Sequence, residues 1–201
     1  MGNLRPVARG APCNDESDLT ELTSTASTSG PRDRIYWSVM LCVLTLDILS
    51  KRWAERALEL HLPVDVLGNT LRWTLTYNTG AAMSLSVGDF SRPFFSLVAI
   101  LMVGYLFTLL RSSPRSARAV PVALALVTAG ALGNLLDRLR HGLGVVDFID
   151  IGTAVWRFWT FNVADIGVTC GATLLAVLLW REDRAASSVP VSTTPDQSVE
   201  P

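Results

Sequence analysis

Two aspartates, Asp147 and Asp165, are the residues best placed to do chemistry together. Both fall in the stretch from Gly133 to Asp165, GNLLDRLRHGLGVVDFIDIGTAVWRFWTFNVAD, which has a long apolar run on either side. Carboxylates at the ends of membrane-length helices are costly to place and seldom serve packing alone. Two carboxyl groups held close together cannot easily both ionise, because each charge raises the pKa of the other. One then keeps its proton, so a water between them can give a proton to the base while the acid protonates a reacting carbonyl or leaving amine. Such a pair needs no metal, no cofactor and no nucleophilic side chain. The 18 residues from Asp147 to Asp165 fit a loop returning between two membrane spans.

Those spans dominate the chain. Hydrophobic residues make up 49% of the 201 and charged residues 17%, and the mean hydropathy is +0.35, which points to an integral membrane protein. The net charge of −1 gives no basic field for nucleic acid. Cys13, Cys42 and Cys170 form neither a disulfide framework nor a Cys-x-x-Cys pair. His61 and His141 lie too far apart for a His-x-x-x-His zinc site. Residues 1–34 and 182–201, rich in Ser, Thr and Pro, read as disordered tails. No apolar core near the start suggests a cleaved leader.

Between the tails, residues 35–181 read as a single membrane domain. The first apolar run extends from Ile35 to about Trp53, with Asp47 and Lys51 four apart on one helix face. Pro93 to Leu110 and Ala119 to Leu136 are uncharged, and a fourth span is expected from about Phe158 to Trp180. Within the loop 54–92, Thr70 to Tyr77 alternates Leu71, Trp73, Leu75 and Tyr77 with polar residues, the period of a half-buried strand. It leads into Asn78-Thr79-Gly80-Ala81-Ala82-Met83, whose small residues allow a tight turn. Three arginines in the short connector 111–118 mark a cytoplasmic loop. Both termini are then inside, and Asn78, the strand, Asp147 and Asp165 share the external side.

Four strings occur in order: Asn78-Thr79-Gly80-Ala81-Ala82, Gly133-Asn134-Leu135-Leu136-Asp137-Arg138, Val145-Val146-Asp147-Phe148 and Phe161-Asn162-Val163-Ala164-Asp165. With Asp47 and Lys51 they resemble the lipoprotein signal peptidase (signal peptidase II) family over residues 35–181. The resemblance implies four transmembrane helices with a small extracytoplasmic β-cradle, an all-α membrane protein in class. It implies an intramembrane aspartyl endopeptidase of the bacterial inner membrane that removes the signal peptide from prolipoproteins, cutting before a diacylglyceryl-modified cysteine. Asp147 and Asp165 match the catalytic dyad of that family. Asn78, Gly80, Asn134, Arg138 and Asn162 match positions that shape the substrate pocket, and Asp47 and Lys51 its first-helix polar pair. Met83 departs from the pattern, standing where an aromatic residue is usual. The expected partners are the lipidated substrate and membrane lipid, with a monomer as the default for a four-span bundle.

Other residues have plainer readings. Asp137, beside Arg138, suits an ion pair or an orienting contact to the dyad. Asp150 reads as structural or solvated; on an extended strand it would face the opposite side from Asp147. Asn134 and Asn162 could satisfy helix ends, and the Asp47–Lys51 pair could simply fix the first helix. Trp53, Trp73, Trp156 and Trp159 suit an interfacial belt, with the last three also candidates to line the cradle. Cys42 and Cys170 read as small buried hydrophobes. His141 reads as a surface residue. Intramembrane acids also mark ion carriers, and a scaffold for lipidated partners would use a similar pocket. A carrier, however, needs polar residues through the depth of several spans, and here the acids gather near one boundary.

Overall fold

The computed structural model describes residues 30–80, 88–140 and 142–187. Cys13, the turn residues 81–84, His141 and most of both tails lie outside the described residues. In chain order the elements are α1 (Pro31–Ala57), β1 (Val64–Leu67), β2 (Leu71–Asn78), a 3-10 turn (Gly88–Phe90), α2 (Ser91–Ser112), α3 (Ala119–Arg140), β3 (Val145–Ile151) and α4 (Val163–Ser187). Three helices, α2, α3 and α4, are long and apolar enough to cross a membrane. The 27-residue α1 is longer still but carries charge at both ends and at Asp47 and Lys51.

Residues 31–34 belong to α1 and not to the tail. Pro31, with its fixed φ and no N–H to leave unsatisfied, opens the helix. Arg32 is buried and donates to the carbonyl of Ser113 at 2.7 Å, closing the C-terminal end of α2. At the other end of the chain α4 continues past residue 181 to Ser187.

Helix α4, expected as a fourth span, starts later than expected, at Val163 instead of about Phe158. Residues 158–161 are held extended by the sheet: Phe158 N–H donates to Ile151 O at 2.8 Å, and Phe161 exchanges bonds with Ile149 at 3.0 and 2.8 Å. Helix α3 runs further than its apolar run, through Asn134, Asp137 and Arg138 to Arg140, so those polar residues sit on helical turns.

The strand expected at Thr70–Tyr77 is β2, the centre of an antiparallel sheet ordered β1-β2-β3. Strand β3, VVDFIDI, is the extended strand considered only as a condition in placing Asp150 against Asp147. Both faces of its first half are covered, with Val146 and Phe148 buried alongside Leu75 and Ala54. Trp53 stacks edge-to-face on Trp73 at 5.6 Å, and Trp73 meets Phe148 at 5.9 Å, so the end of α1 is tied to the sheet. Trp156 and Trp159 are exposed.

Between the helices, the core is Tyr36, Met40, Leu106, Leu110, Leu124, Ala125 and Ala129. Helices α3 and α4 approach closely where small residues face each other. A Cβ on Gly130 would lie 2.2 Å from Ala164 O, and one on Gly171 would lie 2.7 Å from Ala123 O. Helices within a membrane gain contact in this way because lipid offers no hydrophobic drive between them. Cys42 and Cys170 are exposed and not buried. An apolar neighbourhood on a membrane helix faces lipid as readily as core, so it does not imply burial.

Candidate active site

Asp165 sits in the first turn of α4, and its position follows from local chemistry. Asn162 precedes the helix and accepts the Asp165 N–H through Oδ1 at 3.0 Å. In return Asp165 Oδ2 accepts the Asn162 N–H at 3.2 Å. This reciprocal pairing is a capping box, with Asp and Asn in place of the usual Glu and Ser. The helix N-terminus also favours a negative charge there.

Asp147 comes from β3, opposite Thr76. A bulge between Trp73 and Thr76 re-aims this end of the β2–β3 ladder. Just before β3, Gly144 has φ +109, and a Cβ on it would lie 2.4 Å from Asn78 O. Only glycine lets the two strands meet here. Asp147 Oδ1 accepts from Asn162 Nδ2 at 2.6 Å, and Oδ2 accepts from Asn78 Nδ2 at 3.2 Å. The side chain is buried. Burial, and next the charge of Asp165, push its carboxyl up to about 7 against the donors that favour the anion.

Asn134, on α3, joins the two carboxylates. Its Nδ2 donates to Asp165 Oδ1 at 2.8 Å, while its Oδ1 accepts from Asn162 Nδ2 at 3.2 Å and Lys51 Nζ at 3.0 Å. Lys51 also pairs with Asp47 and with Asp137, at 2.9 Å each. Those acids in turn accept backbone N–H groups: Asp47 from Ala164 at 2.8 Å and Asp137 from Val146 at 3.2 Å. Gly133 makes room for this, since a Cβ there would lie 2.3 Å from Asp47 Oδ2.

Arg138 reaches across to the Asn78 turn. Its Nη2 donates to Gly80 O at 2.8 Å and its Nη1 to Asn134 O at 3.2 Å. Gly80 N–H donates to Asn78 Oδ1 at 3.0 Å, which turns the Asn78 amide nitrogen toward Asp147. Beside Arg138 lies a cavity of about 380 Å³, lined also by Thr79, Ser91, Arg92 and Gly144.

The fold therefore gathers Asp47, Lys51, Asn78, Gly80, Asn134, Asp137, Arg138, Asp147, Asn162 and Asp165 from five elements and two turns into one connected network. Asp150 lies apart. It is buried rather than solvated, pairing with Arg157 at 2.6 Å and accepting from Thr74 at 3.0 Å. Gly133 opens one of the four strings but has no role assigned from sequence, and Gly144, one residue before Val145, is not singled out there.

The family model described as signal peptidase (SPase) II matches residues 39–181, a stretch holding all ten networked residues. This chain belongs to the signal peptidase II family. Signal peptidase II relatives include the lipoprotein signal peptidase of Hydrogenovibrio crunogenus, 37% identical over 161 residues, covering 79% of this chain and 88% of that one. That of Geobacter sulfurreducens is 38% identical over 156 residues, 77% of this chain and 96% of the relative. Among solved structures, one bacterial membrane enzyme superposes with a TM-score of 0.67 at 26% identity, over 82% of this chain and 94% of its own. A second does so with a TM-score of 0.64 at 28% identity, over 72% and 91%. As a signal peptidase II, the protein is a membrane-embedded hydrolase of the aspartic type that acts in lipoprotein maturation.

Proposed function

We propose that Asp147 and Asp165 are the catalytic dyad with which this enzyme removes the signal peptide from diacylglyceryl-modified prolipoproteins, cutting before the lipidated cysteine. The observation that carries this is the shared amide network: Asn162 donates to Asp147 while capping Asp165, and Asn134 donates to Asp165. Buried Asp147, pushed up to about 7, is the acid. Asp165, partly exposed at a helix N-terminus and holding two further donors, is the base. Water loses a proton to Asp165 as its oxygen bonds to the scissile carbonyl carbon, and Asp147 gives its proton to the carbonyl oxygen. The tetrahedral diol then collapses: the C–N bond breaks, the amine of the lipidated cysteine leaves with the proton from Asp165, and one diol hydroxyl returns its proton to Asp147 as the carbonyl re-forms. Arg138, Asn78 and Gly80 flank this point and orient the peptide. No metal or other cofactor enters the scheme.

The same reading takes α1 as a fourth span. Its charges cluster at Arg32–Arg34 and from Lys51 onward, leaving Ile35 to Leu46 uncharged, and Asp47 and Lys51 turn inward. The arginine-bearing α2–α3 connector meets the start of α1 through Arg32 N–H to Arg115 O, 3.2 Å. That end is cytoplasmic by the positive-inside rule, which puts both termini inside and the dyad with its β-cradle at the extracytoplasmic face of the bacterial inner membrane. The bundle works as a monomer, its substrate entering with its acyl chains in the lipid phase.

A gel-shift assay tests the proposal: purified protein in detergent, a diacylglyceryl-modified prolipoprotein, its unlipidated copy, and Asp147→Asn and Asp165→Asn variants. Loss of the signal peptide from the lipidated substrate alone, abolished in both variants, is the expected result. Retained cleavage in either variant overturns the dyad.

A further inference from the structure

Lys51 is among the largest fully buried side chains, 1% exposed, and nothing in the mechanism above uses it. An ammonium has three N–H groups and no acceptor. Asp47 and Asp137 lie 2.9 Å from Nζ as ion pairs and already compensate the charge. A third contact, a hydrogen bond, goes to a neutral atom, Asn134 Oδ1, at 3.0 Å.

That third bond has a consequence for the dyad. An amide side chain can turn over, exchanging its oxygen for its nitrogen. Because Lys51 can only donate, the Asn134 oxygen must face it, and the Asn134 NH₂ must then face Asp165. Asn162 alone could not enforce this. Its Nδ2 has two hydrogens and lies near three acceptors: Asp147 Oδ1 at 2.6 Å, Val146 O at 3.2 Å and Asn134 Oδ1 at 3.2 Å. Asp165, an acceptor, draws the NH₂ end of Asn134, and Lys51, a donor, fixes the oxygen end; without Lys51 the amide is held at one end only.

Building on the dyad reading, we infer that Lys51 is a positioning residue that holds the Asn134 amide with its N–H toward Asp165, keeping that carboxylate aligned for the attacking water. It acts from α1 through α3 on α4 and touches no substrate. Its loss therefore lowers kcat and spares KM.

The test compares steady-state cleavage of the lipidated substrate by wild type, Lys51→Met, Asn134→Ala, the double variant and Asn134→Asp, with Asp165→Asn alongside. Lys51→Met is expected to lower kcat by roughly 10- to 100-fold, the scale of one hydrogen bond to a charged group, with KM within about twofold. In the Asn134→Ala background the same change adds little, because both act through one contact. Asn134→Asp keeps a partner for Lys51, so the cluster stays paired and folded even if Lys51→Met does not fold. It turns an acceptor onto Asp165, and kcat falls at least as far. The inference is overturned if Asn134→Asp keeps wild-type kcat, or if Lys51→Met either keeps it or multiplies the Asn134→Ala loss. Cleavage by Asp165→Asn sinks the dyad reading itself. An inactive Asp165→Asn with unchanged Asn134→Asp and Lys51→Met sinks only the role of Lys51.

Discussion

The molecule holds two acidic pairs only a few hydrogen bonds apart, three of the four carboxylates buried, and they are compensated in opposite ways. Asp47 and Asp137 share a cation, Lys51, and each also takes a backbone N–H. Asp147 and Asp165 form no ion pair among the described residues. Their side-chain donors are the amides of Asn78, Asn134 and Asn162. A cation at 2.9 Å compensates a carboxylate with a full opposite charge, whereas a neutral amide gives it a hydrogen bond and no net charge. The proposed dyad, which must pass a proton, has the second arrangement, and the pair that ties α1, α3 and α4 together has the first. Residue type alone does not separate them; the donor facing each carboxylate does.

The largest expected break in this contrast is at the proposed dyad. Asp147→Asn or Asp165→Asn should cost about 10³-fold or more in kcat/KM, the scale of a lost general acid or base, measured on the lipidated substrate. Asp47→Ala should instead strike stability, by about 3–5 kcal/mol, since it strips a partner from a buried lysine and an acceptor from Ala164 N–H. Unfolding in detergent reads this out. Gly133→Ala pushes on the same carboxylate and should lose roughly 1–3 kcal/mol, as overpacking does.

The dyad side of the contrast has its own signature in pH. Asp147 is raised from 3.8 to about 7, so between those values the folded protein holds a proton that the unfolded chain has released. Stability contributed by this group is therefore full below about pH 4, falls as pH rises toward 7, and is level above it. The total is at most a few kcal/mol. Thermal melts across that range should show the slope, and Asp147→Asn should flatten it. Activity should fall along a basic limb near pH 7 as the acid loses its proton.

The smallest effect is expected three residues along the same strand. Asp150 resembles Asp147 in type and burial but faces Arg157, as Asp47 faces Lys51. Asp150→Asn should reduce stability by about 1–2 kcal/mol and leave kcat within a few-fold. A loss as large as that of Asp147→Asn would show that pairing with a cation does not distinguish structural acids here.

Much of this was legible in one dimension. The apolar runs specify membrane helices because lipid demands about twenty apolar residues whatever the neighbours are. The period-two alternation at Leu71–Tyr77 specifies a strand because one face of it is buried. The ordered strings around Asn78, Asn134, Asp147 and Asp165 identify the family, and with it the ten residues that come together. Boundaries were less legible. The start of α4 moved to Val163 because bonds from Ile149 and Ile151 hold residues 158–161 extended, and nothing local announces those partners. Strand β3 hid for the same reason, since VVDFIDI between two spans is equally apolar as strand or helix.

What the sequence determined by itself is therefore the inventory: membrane-length helices, a strand, and acids and amides confined to a few motifs. Those properties are local, set by side-chain polarity and periodicity. Only the tertiary structure decided which acid meets a lysine and which meets an amide. Lys51 and Asn134 are 83 residues apart, and Asp47 and Ala164 are 117 apart. The protonation chemistry of a carboxylate depends on donors within hydrogen-bond reach and on its burial. Those are properties of the folded bundle, in which Gly130 and Gly133 let the helices come close enough for the contacts to form.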